Sequence, residues 1–123
     1  MITSARHKGI VDQLNLKINE LEEENTELLR EKMVIVPTCQ KAVEAFGKSN
    51  QMIVAIEEMS ELIKALTKTL RERMDYNNLT EEIADVCIVL QELIIIFNCE
   101  QSVKKWKAKK IMDLAAKIQR GYD

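Results

Sequence analysis

Two acidic clusters carry most of the chemistry this sequence offers. They are Glu57-Glu58-Met59-Ser60-Glu61 and Glu81-Glu82-Ile83-Ala84-Asp85, divided by a basic, turn-rich segment. Within each cluster the acids stand three and four positions apart, so on a helix they share one face. Ile53, Val54 and Ile56 precede the first cluster, and the apolar run Val86 to Phe97 follows the second. Carboxylates gathered at the edge of a core repel one another unless a cation neutralises them. A ligand set made only of oxygen suits Mg²⁺ or Mn²⁺. The expectation is a divalent-metal site between two helices. Ordinary salt-bridged helix faces produce the same spacing. The apolar run beside the second cluster favours the metal, because a solvated face is out of place there.

The elements that must position these acids are helical. In 123 residues, 46% hydrophobic and 31% charged, there are only three Gly and one Pro, so the fold class expected is all-α. The length suits one domain with an appended arm: an N-terminal helical arm over 1–36 and a helical domain over 37–123. Net charge is −2, which gives no global basic field for nucleic acid. Three cysteines without CxxC spacing, Cys39, Cys87 and Cys99, read as reduced thiols of a cytoplasmic protein. Val86 to Phe97 is too short to span a bilayer and contains Gln91 and Glu92, so it reads as a buried helix and no membrane partner is expected.

In chain order, Leu14, Leu21, Leu28 and Ile35 recur every seventh residue, with Val11, Ile18, Asn25 and Lys32 as the partner series. Taken as d and a positions, they make a short coiled-coil seam in which Asn25 favours a parallel dimer and Lys17 and Glu22 occupy g and e. The alternative is an arm that folds back on its own domain. Pro37 is expected to end this helix, with Thr38 as N-cap of a short segment carrying Ala42, Val43 and Phe46 up to a stop at Gly47. A long amphipathic helix follows over about 50–73, with Ile56, Met59, Ile63, Leu66 and Leu70 toward the core. Met74 to Leu79 reads as a loop, with Asn78 or Thr80 as the next cap. The helix after it, to about Asn98, is apolar nearly all round and should be central. Glu82, Asp85 and Glu92 line up on one of its faces and need a cation or a facing lysine. A last helix over about 101–120 would pack Ile111, Leu114, Ala115 and Ile118 inward, with Trp106, Lys110, Asp113 and Lys117 on another face.

The two acidic motifs also carry a resemblance. Glu57-Glu58-Met59-Ser60-Glu61-Leu62, then Glu81-Glu82-Ile83-Ala84-Asp85-Val86, resembles the ExxE…ExxD signature of the all-α nucleoside triphosphate pyrophosphohydrolase superfamily, which includes MazG-like and dimeric dUTPase-like enzymes. The likeness is to the small phage or Gram-positive type and covers about residues 39–117, with a 20-residue spacer from Glu61 to Glu82. It implies a MazG-like four-helix bundle that assembles as a homo-oligomer, dimer or tetramer. The implied reaction is Mg²⁺-dependent cleavage of a nucleoside triphosphate between the α and β phosphates, giving the monophosphate and pyrophosphate. By this resemblance Glu58, Glu61, Glu82 and Asp85 are the metal ligands, with Mn²⁺ as an alternative ion. Glu57 is an accessory ligand or orients the attacking water, and Glu61 shares the catalytic role. Lys110 first and Lys117 second would clamp phosphate, and Trp106 could stack on the base; the plain alternative is a solvated basic face and a Trp partly in the core. Asp113 stands where related small proteins tend to carry a further basic residue. A reading from a different class is a non-catalytic coiled-coil adaptor, or a nucleotide-sensing module on the same bundle.

Overall fold

The computed structural model describes residues 4–121. Its elements are α1 (Ser4–Arg30), a π-helical turn (Glu31–Ile35), α2 (Val36–Phe46), α3 (Lys48–Arg71), α4 (Tyr76–Phe97) and α5 (Glu100–Gln119), with no strand among the described residues. The all-helical class follows from a chain poor in Gly and Pro. The chain divides into two compact units, Met1–Thr38 and Cys39–Asp123. The outermost residues of the two expected segments, 1–3 and 122–123, lie outside the described residues.

In the first unit, α1 buries none of its residues. Its largely polar sequence leaves it no core of its own. Pro37 does not end the helical run as the sequence suggested. The α-helix stops earlier, at Arg30, the π-helical turn follows, and Pro37 sits in the first turn of α2. Proline lacks the N–H that would bond back to Met33, and that loss is tolerated in a first helical turn, just past the locally widened segment. Thr38 is accordingly inside α2 and not its cap.

In the second unit, Gly47 separates α2 from α3 at φ +91°, a left-handed value that a side chain disfavours. Its N–H bonds to Val43 O at 2.9 Å and its carbonyl accepts from Gln51 N at 3.1 Å. The connection from α3 to α4 is short. Asp75 caps α4, its side-chain oxygen accepting the Asn78 N–H at 3.1 Å. Asn78 and Thr80, the expected caps, are already helical, and the Thr80 hydroxyl donates to Tyr76 O at 2.9 Å. Asp75 wins because it reaches the third N–H of the helix a turn earlier. At the far end Asn98 adopts the left-handed conformation (φ 48°), with Cys99 N–H donating to Ile94 O and Asn98 N–H to Ile95 O, a Schellman closure.

α3 and α4 pack closely as a helical hairpin, and this pairing makes the core. The buried stripe of α3 is Gln51, Ala55 and Ala65, with Glu58, Leu62 and Thr69 half-buried on the same face. That corrects the expected face: Ile56, Ile63 and Leu66 are exposed, and Leu70 is 88% exposed. Only Met59 of that set is half-buried. The reason is steric. Small side chains let two helices approach, whereas the isoleucine and leucine stripe needs its own, separate cover. α4 likewise buries Val89 and Glu92 but leaves Ile83, Leu90 and Phe97 open, so it is a hairpin arm and not an all-round buried helix. In α2, Cys39 and Val43 are buried while Phe46 is exposed. α5 approaches α4 sparsely and does not approach α3. Ile111, Leu114, Ala115 and Ile118, expected inward, are all exposed.

Candidate metal centre

The face of α3 that meets α4 carries Glu58, and the answering face of α4 carries Glu82 and Asp85, one turn apart. One carboxylate oxygen from each of these three lies within 4.8 Å of the others, and all three residues are partly buried. The hairpin geometry is what does this. Ala55 and Ala65 bring the helices close on either side of Glu58, so carboxylates from two helices reach a common point.

Such a cluster is electrostatically uncomfortable. Loss of hydration pushes the Glu58 carboxyl above its ordinary range, helped by the Asp85 and Glu82 charges, by a hydrogen bond to Asp85, and by Glu61. Glu82 is raised in the same order of causes: lost hydration first, then Asp85, Glu61 and Glu81. Glu82 Oε2 is buried and has no hydrogen-bond partner. An all-oxygen donor set with an orphaned buried oxygen fits a hard divalent cation.

The expected residues separate by position. Glu58, Glu82 and Asp85 come together. Glu61 stands at the edge of the cluster, exposed, yet its charge acts on both Glu58 and Glu82. Glu57 is exposed on the neighbouring side of α3. The expected phosphate and base contacts all belong to α5, where Trp106, Lys110 and Lys117 are exposed. The Lys110 ammonium lies 5.8 Å from the Trp106 ring centroid. Asp113 accepts from Lys109 at 2.9 Å. Because α5 does not approach α3, a single chain does not set this basic helix over the carboxylates.

Glu92 departs from the expected pattern. It lines up with Glu82 and Asp85 in sequence, yet its partner is neither a cation nor a lysine. The Gln51 side-chain amide donates to Glu92 Oε2 at 2.7 Å, with both residues buried. Gln51 stands seven positions before Glu58 on the same face of α3. That spacing is the signal that could have found it. The Glu92 charge also acts on Cys39 of α2, whose thiol is pushed up by burial first and by Glu92 second.

Comparison with protein-family models, with curated proteins and with solved structures finds no match to this chain.

Proposed function

We propose that this chain is a Mg²⁺-dependent nucleoside triphosphate pyrophosphohydrolase of the MazG-like, all-α type, cleaving between the α and β phosphates. The observation that carries this reading is the convergence of Glu58, Glu82 and Asp85 from two helices, with one buried oxygen left unpartnered. Bound there, Mg²⁺ (or Mn²⁺) would neutralise the carboxylates and stabilise the charge that develops on the phosphates. Glu58, Glu82 and Asp85 would hold the ion. Glu61, exposed beside them, would complete the set as the substrate arrives, and Glu57 would orient the attacking water. A triphosphate also needs cations on its outer side, for which Lys110 and Lys117 remain the assigned groups, with Trp106 against the base.

A homo-oligomer belongs to this proposal. Ile56, Ile63 and Leu66 on α3 and Ile83, Leu90 and Phe97 on α4 leave apolar surface that a second copy would cover. The same association would supply a basic helix to the carboxylates that their own α5 does not reach.

The test is incubation of the full chain with a panel of NTPs and dNTPs plus Mg²⁺, with monophosphate and pyrophosphate as the products followed. Glu61→Ala and Glu82→Gln should each lower the rate by at least about 100-fold. Absence of both products, or a Glu61→Ala protein that behaves as wild type, refutes the enzymatic reading. The distance of α5 from α3 favours one rival, a nucleotide-sensing module. Calorimetric titration with Mg²⁺ and a non-hydrolysable dNTP identifies it by binding without turnover.

A further inference from the structure

The carboxylate site leaves α1 without a role, although α1 is the longest helix of the chain and has no buried residue. Its polarity is uneven. Val11, Ile18 and Asn25 alternate with Leu14, Leu21 and Leu28 at the three-and-four spacing of a heptad seam. Among these, Leu14 is 58% and Leu28 54% exposed. The outer side of the helix satisfies itself: Arg30 pairs with Glu27 at 2.6 Å, and the Thr26 hydroxyl donates to Glu22 O at 2.9 Å.

From these features we infer that α1 docks on α1 of a second copy of this chain, parallel and in register, as a two-stranded coiled coil. Three features of the seam select that occupant over an unrelated helix. β-branched residues at a with leucine at d favour two strands. An asparagine at an a position is satisfied by its own counterpart across a parallel, in-register pair, which sets the register. The flanks are complementary in the same arrangement, because Lys17 at g faces Glu22 at e of the other strand.

The structure also sets where the seam ends. The π-helical turn Glu31–Ile35 begins three residues after Leu28, the last leucine of the series. A wider turn shifts the phase of every residue beyond it, so Lys32 and Ile35 leave the stripe. The paired length is therefore Val11 to Leu28, about 26 Å at 1.5 Å per residue. A seam this short associates weakly by itself and gains from any second contact between the same two chains. This inference does not depend on the carboxylate site.

The test uses the full chain with the exposed thiol removed by Cys87→Ser. In that background Leu14→Cys is oxidised and compared on non-reducing gels with Leu16→Cys, which lies on the outer face. A parallel, in-register pair places the two Leu14→Cys thiols side by side. The linked dimer should form at least about ten-fold faster than for Leu16→Cys. An antiparallel pair of the same seam sets Leu14 against Asn25 instead, and another partner gives no preference. Equal rates for the two variants therefore overturn the inference. Lys17→Glu should slow linkage of Leu14→Cys several-fold, and adding Glu22→Lys should restore it. A double charge swap that fails to restore linkage overturns the parallel register.

Discussion

The buried Gln51–Glu92 hydrogen bond gives the most direct test of how the helices of the second unit are held. It joins α3 to α4 at 2.7 Å, and its two ends are 6% and 5% exposed, so water does not replace a lost partner. Replacing Gln51 with Leu leaves the buried Glu92 carboxyl without this donor. A buried acceptor deprived of its donor costs about 1–3 kcal/mol, with the upper end for a charged group. At about 4–8 °C per kcal/mol for a unit of this size, Gln51→Leu should lower the melting temperature by on the order of 10 °C. Glu92→Leu alone should fall in the same range, because it leaves the amide unpaired. Gln51→Leu with Glu92→Leu together replaces both partners by apolar groups and should recover most of the loss. Thermal melts of the wild type, both single variants and the double variant close a cycle whose coupling should be about 1–3 kcal/mol. If the double variant loses the sum of the two single losses, the bond is not what holds this layer and the reasoning fails.

Two further outcomes follow from the charges. Glu58 and Glu82 are both raised above the ordinary carboxyl value. A group raised in the folded state favours folding below its ordinary value, and that advantage drains away as pH rises through the folded one. At pH 7 without divalent ions, Glu82→Gln should therefore melt higher than wild type, and the gap should close below about pH 4. Millimolar Mg²⁺ should stabilise wild type more than Glu82→Gln; a variant that melts no higher in chelator at pH 7 contradicts the repulsive cluster. Thiol labelling at pH 8 provides the other check. Cys87 is exposed, whereas Cys39 is buried with its thiol pushed up by lost hydration and by Glu92, so Cys87 should react at least about ten-fold faster.

The helices themselves were legible because so few residues interrupt them, and the spacing of Glu58, Glu82 and Asp85 placed them on faces that meet. The inward face of α3 was not legible. Isoleucine and leucine at positions 56, 63, 66 and 70 advertise a core, while Ala55 and Ala65 read as neutral in any hydrophobic pattern. Close helix approach rewards small side chains, a preference that depends on the partner helix and not on the local sequence. The same dependence hid the partner of Glu92, since a glutamine amide is a less obvious partner for a carboxyl group than a lysine or a cation. Capping was misplaced for a simpler reason: Asp75, Asn78 and Thr80 all cap well, and only the length of the turn decides among them.

The short connection capped by Asp75 also has a consequence in time. Helices that are neighbours in sequence close with little loss of chain entropy, and structures dominated by such local pairings form in microseconds to milliseconds. Glu58 meets Glu82 and Asp85 through that one local closure. The three carboxylates should therefore be assembled early in folding, before any encounter between chains. Divalent ions in the refolding buffer would act on this first step, drawing together a hairpin that otherwise closes against its own charge.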